Sequence, residues 1–192
     1  MARLIDERPE FEPRAWLREL PQMDLFGALV FQVIGQQLSV RATRRILERL
    51  QTRLDGQLPS PSQLLSMDPE DLRAAGLSRR KIVALGDLAQ RFADGRLDEE
   101  ALGRLPNDEI EAQLTQISGI GPWTVHGALI IAFDRQDVVL PGDLALRKVI
   151  EKAYDLDHLP SQDEVLAIAD RWRPYRSLAT SYLFQSAFDP AS

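Results

Sequence analysis

One run of the sequence, residues 114 to 150 (LTQISGIGPWTVHGALIIAFDRQDVVLPGDLALRKVI), constrains this chain more than any other. A Gly119-Ile120-Gly121 hairpin opens an apolar helix, and a lone Asp143 stands at the start of the next one. Neither glycine carries a Cβ, so the main chain can turn tightly and something can approach its N–H groups. Pro122 at the first helical position puts those donors at a helix N-terminus, a favourable seat for an anion such as phosphate. The run therefore sets a backbone anion site one helix length upstream of a carboxylate.

Apolar residues elsewhere recur at helical period, with no sustained period-two alternation, which predicts an all-α chain of about ten helices. The segment 25 to 36 is apolar on most faces and reads as a central buried helix. Ser39 caps the helix that follows it, and 56 to 61 reads as a loop. Helices are expected to start at Asp68-Pro69, Ser78, Asn107, Pro122, Asp143, Ser161 and Pro174, with Gly76 and Gly95 as stops. Residues 134 to 142 read as a loop holding a short extended run at 138 to 140.

A chain of 192 residues can bury ~70% of its unfolded surface without staples, and it has no cysteine. That absence excludes disulfides, thiolate zinc sites and a cysteine-held iron–sulfur cluster. Two histidines, His126 and His158, do not make a histidine-rich metal centre. The longest apolar stretch, around 25 to 31, is too short to span a bilayer, and the first residues hold no signal-type apolar core. No membrane association and a cytoplasmic setting, the bacterial cytosol and nucleoid, are expected.

A net charge of −6 argues against a generic polyanion binder unless the basic residues are segregated. They are. Arg41, Arg44, Arg45, Arg49 and Arg53 share one broad helix face opposite Ile46, Leu47, Leu50 and Leu54, and Arg79-Arg80-Lys81 forms a second cluster. An ordinary solvated face would look the same, but beside a phosphate-seating hairpin a DNA-facing role for some of these arginines gains weight.

Two further motifs flank the hairpin, Ile34-Gly35-Gln36-Gln37-Leu38-Ser39 before it and Arg171-Trp172-Arg173-Pro174-Tyr175-Arg176-Ser177 after it. With the hairpin and Pro141-Gly142-Asp143 they resemble the helix-hairpin-helix, Gly/Pro-rich loop and Asp DNA glycosylase superfamily. The resemblance is to its alkylation-repair branch, the 3-methyladenine DNA glycosylase II family. It implies one glycosylase domain over 1–192 with a two-lobed, all-α fold. Lobe one is about 33–133, with the helix-hairpin-helix at 107–133, and lobe two is about 1–32 plus 134–192. Family members often carry an additional N-terminal β domain; this chain reads as a version without it.

By the same resemblance Asp143 is the catalytic aspartate of a monofunctional glycosylase. It stabilises the oxocarbenium-like sugar as an N3- or N7-alkylated purine departs, leaving an abasic site. A cationic base needs no leaving-group proton, so one carboxylate suffices where ordinary glycosidases use two. Relatives that also cut the strand carry a lysine where this chain has Trp123, which instead matches a base-stacking aromatic. Phe184 matches another pocket aromatic, with Phe26 and Tyr182 as weaker candidates, while Gly127 falls where some relatives have a tyrosine and predicts a more open pocket. The register places the wedge that fills the duplex gap on Gln37 or Leu38. Gly119, Gly121, Thr124, Arg44 and Arg45 are the expected DNA-backbone contacts. A monovalent cation, Na+ or K+, is implied at the carbonyls of Thr115, Ile117 and Ile120, with no other cofactor. The implied partner is damaged double-stranded DNA and the implied state a monomer. A non-enzymatic module that grips the DNA backbone would need only the hairpin and arginines, and an interaction protein only the arginine stripe.

Overall fold

The computed structural model describes residues 1–54 and 56–188. Among these residues every regular element is helical. The α-helices, in chain order, are α1 (Ala2–Asp6), α2 (Leu25–Gly35), α3 (Val40–Gln51), α4 (Pro61–Ser66), α5 (Pro69–Ala75) and α6 (Arg79–Ala93). They continue with α7 (Glu99–Gly103), α8 (Asn107–Leu114), α9 (Pro122–Phe133), α10 (Leu144–Ala153), α11 (Gln162–Ala169) and α12 (Arg176–Phe188). Short 3-10 turns occupy Ala15–Glu19 and Asp170–Trp172. No helix among the described residues is long and apolar enough to cross a membrane.

The chain forms two compact units, Met23–Phe133 and Met1–Gln22 with Asp134–Ser192. The first is built on α2 against α9. Both helices are apolar around most of their circumference, the pattern of helices enclosed by others rather than laid on a surface. Leu25, Ala28, Leu29, Val30, Val33 and Ile34 of α2 and Val125, Ala128 and Leu129 of α9 are all fully buried. Each such Leu, Ile or Val contributes about 1.5–3 kcal/mol relative to exposure. Asp24 starts α2 by accepting from the Gly27 amide at 2.7 Å.

α3 shows how the expected amphipathic helix is realised. Ser39 accepts from the Ala42 amide at 3.2 Å, Ile46, Leu47 and Leu50 turn inward, and Arg41, Arg44 and Arg45 stay exposed. α5 ends at Gly76, whose φ of +113° is the left-handed value a helix stop requires.

The core of the second unit gathers Val139, Leu146, Val149, Ile150, Val165, Ala169, Trp172, Ala179 and Leu183. α10 and α12 pack together in it, and α1 packs on α12. A capping box at Ser161, with its hydroxyl on the Glu164 amide and the Glu164 carboxylate on the Ser161 amide, fixes the start of α11.

Candidate active site

The two hairpin glycines stand in different surroundings. Gly119 has φ +91°, and a Cβ there would lie 3.1 Å from the Ala84 Cβ, so the turn itself demands glycine. Gly121 has no positive φ, and a Cβ there would meet nothing within 4 Å. Nothing among the described residues asks for glycine at 121, and the space in front of it is open. Two 3-10-type bonds, Ile117 N–H to Leu114 O at 3.1 Å and Ile120 N–H to Ile117 O at 3.0 Å, shape the loop between α8 and α9. The His126 ring meets the Glu111 carboxylate at 2.6 Å and ties the two arms together.

Just beyond α2 the chain makes a sharp turn whose residues divide between the interior and solvent. Gln36 faces inward, its amide nitrogen donating to the Gly119 carbonyl at 2.9 Å and to the buried Thr124 hydroxyl at 2.8 Å. Gln37 takes a left-handed φ of +57° and is exposed, and Leu38 is 40% exposed. Lys81 braces the turn from α6, donating to the carbonyls of Ile34 at 2.8 Å and Gln36 at 2.9 Å. Its ammonium thereby satisfies carbonyls left over at the C-terminus of α2 and complements that end of the helix dipole. Burial holds the Lys81 pKa below its usual value.

The basic residues sort by partner. Arg49 donates to the Ala75 carbonyl at 3.2 Å and Arg53 pairs with Asp71 at 2.5 Å, so both serve the packing of α3 beside α5. Lys81, counted by sequence within a basic cluster, is likewise turned inward. Arg41, Arg44 and Arg45 line one recess with Glu48 and present their guanidinium groups to solvent.

Of the aromatic candidates in this unit, Trp123 is half-buried in the first turn of α9. Phe26 is only 2% exposed and sits edge-on to Phe92 with centroids 5.3 Å apart, which makes it part of the core. The room expected beside Gly127 is filled, because the Gln32 amide lies where a Cβ would stand, its carbon 2.6 Å from that position. In the other unit, Tyr182 packs edge-on to Phe11 at 4.9 Å, while Phe184 lies against the apolar core. Residues two apart on a helix point about 200° apart, so these two aromatics cannot share a face.

Asp143 is the N-cap of α10. Its Oδ1 accepts from the Leu146 amide at 2.8 Å, and its own amide donates to the Leu140 carbonyl at 3.0 Å. The cap orients the carboxylate through one of its roughly four acceptor positions. The loop leading to Asp143 is held by the start of α12. Ser177 accepts from the Val138 amide at 3.1 Å and donates from its amide to the Gln136 carbonyl at 2.8 Å.

Arg176 grips Asp137 through Nε to Oδ1 at 2.6 Å and Nη2 to Oδ2 at 3.1 Å, and Arg173 adds Nη1 to Oδ2 at 3.1 Å. Burial opposes ionisation of Asp137, but the hydrogen bonds and charge of Arg176 outweigh it and hold the carboxyl below its usual pKa. Trp172 Nε1 donates to the Tyr154 hydroxyl at 3.1 Å, joining the same motif to the far end of α10. The 171–177 run is thus a buttress for the Asp143 helix and its loop.

Sequence reasoning missed Gln32, the inward role of Gln36 and the bracing role of Lys81. Each depends on which helix lies alongside, and a pattern along one helix carries no such signal.

A hairpin with an open glycine at a helix start, followed by a capped and buttressed aspartate, defines a class of DNA-repair fold, and residues 30–174 match the family model described as HhH-GPD superfamily base excision DNA repair protein. The chain belongs to that family. It is 34% identical over 172 residues to DNA-3-methyladenine glycosylase 1 of Schizosaccharomyces pombe, covering 88% of this chain and 75% of that one. It is 28% identical to DNA-3-methyladenine glycosylase 2 of Escherichia coli, where the match spans 84% of this chain but 57% of the relative. Among solved structures, the S. pombe 3-methyladenine DNA glycosylase in complex with abasic DNA superposes with a TM-score of 0.88 at 32% identity, covering all of this chain and 92% of that one. A Bacillus halodurans DNA-3-methyladenine glycosidase gives 0.77 at 28% identity, covering 98% of this chain and 88% of that one.

Proposed function

We propose that this protein is a monofunctional DNA glycosylase that hydrolyses the N-glycosidic bond of alkylated bases, 3-methyladenine and 7-methylguanine foremost, and leaves an abasic site. The observation that carries the reading is the Asp143 carboxylate, fixed by its cap to Leu146 and by the buttressed loop before it, in a chain of this family. As the bond from C1′ to the base nitrogen breaks, the electron pair leaves with the cationic base and positive charge develops on the sugar. One fixed negative charge stabilises that state. Water then adds to C1′ and gives up a proton.

Trp123, in the position where strand-cutting relatives carry lysine, offers an indole face to a cationic base, an attraction of ~0.5–2 kcal/mol. Gln37, exposed with a left-handed backbone, is the proposed wedge with Leu38 beside it. Gly119, Gly121 and Thr124 of the hairpin and Arg44 and Arg45 are the proposed contacts to the DNA backbone. The carbonyls of Thr115, Ile117 and Ile120 suit a monovalent cation in chemistry, being neutral oxygens on one hairpin, and its role would be to bridge to a phosphate. The proposed unit of function is a monomer, and the setting that goes with this substrate is the cytosol at the nucleoid.

The test is release of free base from alkylated duplex DNA by the purified protein, with unmodified DNA as control. Release of 3-methyladenine and 7-methylguanine without strand cleavage is expected. Binding without release would leave only a DNA-gripping module.

A further inference from the structure

Helix α2 and the residue that caps its end present two glutamine amides four residues apart to the same side of α9, and the protein treats them differently. Gln36 is hydrogen-bonded twice within the protein, to Gly119 and Thr124. Gln32 is 9% exposed and lies against Gly127, with its Cδ 2.6 Å and Oε1 2.9 Å from where a Cβ would stand. Among the described residues its amide makes no hydrogen bond, yet its polar atoms are not among those sealed from solvent. Leaving a polar group unpaired in a nearly buried position is disfavoured, so an amide kept there needs a partner from outside the chain. An apolar side chain of the same length would pack against Gly127 without that penalty.

The placement of the amide against Gly127 limits what the partner can be. Gly127 follows Trp123 by four residues, so indole and amide occupy successive turns of one face of α9, about 6 Å apart along the axis. A flat base lying on the indole would meet the amide with its edge. An amide offers one acceptor and two donors side by side, the arrangement that matches an exocyclic group and the adjacent ring nitrogen of a purine.

We propose that Gln32 is a specificity-determining residue that reads the 6-position edge of the extruded purine. It accepts from the 6-amino group and donates to the ring nitrogen beside it in an alkylated adenine. With the amide turned over, it donates to the 6-oxo group and accepts from the ring N–H of an alkylated guanine. Gly127 is the residue that makes space for it. The inference rests on the glycosylase reading and on Trp123 as the stacking face. Because an amide has no proton to give up, Gln32 adds recognition and no acid catalysis.

The test compares wild type with Gln32→Met, of similar length but apolar, and Gln32→Asn, which keeps the amide one methylene short of the base. Single-turnover release of 3-methyladenine and of 7-methylguanine is measured beside affinity for abasic DNA, which has no base to read, and thermal melting. Both variants should release both bases about tenfold more slowly, the size of one hydrogen bond. Abasic-DNA affinity should stay within twofold, and at least Gln32→Asn should melt as wild type does. Release within twofold of wild type, or a fall in abasic-DNA affinity matching the fall in rate, would overturn the assignment. A wild-type protein that binds abasic DNA and releases neither base would overturn the glycosylase reading and this one with it, and that failure is visible before any variant is made.

Discussion

The Gln36 side chain donates to the Gly119 carbonyl at 2.9 Å across 83 positions of sequence. With its second bond to Thr124 and the Lys81 brace behind it, the turn that exposes Gln37 and the hairpin loop form one hydrogen-bonded piece. Changing Gln36→Leu strips a partner from a part-buried carbonyl and from a buried hydroxyl, a cost of about 1–3 kcal/mol. For a chain of this size the melting point should fall by roughly 2–4 °C per kcal/mol. Affinity for abasic DNA should weaken as well. Unchanged melting together with unchanged affinity would mean the two segments are not coupled.

Asp143 combines a cap with a proposed catalytic charge, and two substitutions separate them. Asparagine caps as well as aspartate, so Asp143→Asn should melt like wild type while single-turnover release falls ~10²–10³-fold. Asp143→Ala should lose the same rate and about 0.5–2 kcal/mol of stability besides. An Asn variant within twofold of wild-type rate would remove Asp143 from the mechanism.

The hairpin glycines should fail in opposite ways. Gly119→Ala forces a side chain into the left-handed region, at about 1–2 kcal/mol, and against Ala84, so stability should drop. Gly121→Ala meets nothing within 4 Å among the described residues and should leave melting alone. It should nonetheless weaken DNA binding equally on every sequence, as a backbone contact does. Equal melting losses for the two would contradict this division.

Salt dependence distinguishes arginines that touch phosphate from those that pack. Each phosphate contact contributes ~0.9 to the slope of log affinity against log salt, so Arg44→Ala and Arg45→Ala should each reduce that slope by about one. Arg49→Ala should leave the slope and lower stability, because its guanidinium is bonded to Ala75. A reduced slope for Arg49→Ala would reverse the assignment.

The Asp137 cluster predicts an acid response. Its folded pKa is depressed by Arg176 and Arg173, so its stabilisation is fully present above the unfolded value of roughly 3.9. It is lost as pH falls through the lower folded value. Asp137→Asn should be less stable than wild type at pH 7, by about 1.5–3 kcal/mol for hydrogen bonds to a charged group, and the gap should close below pH 4. Denaturant midpoints from pH 7 downward measure it, and a gap that does not narrow as the pH falls would assign the loss to packing.

The sequence makes visible those features whose cause is local. Ser39, Ser78 and Ser161 announce helix starts because each cap is built from residues three apart, and all three caps form. The five-residue helices α1 and α7 went unread because so short a segment completes barely more than one turn and shows no period. The helix expected to start at Ser161 ends its α geometry at Ala169 and tightens into a 3-10 turn over Asp170–Trp172. Gln36 and Gln37 are identical neighbours, yet the first is bonded inward and the second, with a φ of +57°, is exposed. The Gln32 and Gly127 pairing joins positions far apart in sequence, and reading Gly127 alone suggested an opening where the structure has an amide.

The proposed double duty of Asp143, cap and catalytic charge, makes this position a blind spot for any check that works through folding. Cellular proteolysis senses the unfolded fraction, and an asparagine at 143 would keep the cap and so keep that fraction low. Such a chain would persist at full abundance, still seat its hairpin on phosphates and still extrude damaged bases, but release them slowly. On that proposal it would linger on lesions it removes only slowly and keep other repair proteins from reaching them, so one substitution would turn a repair protein into an obstacle to repair.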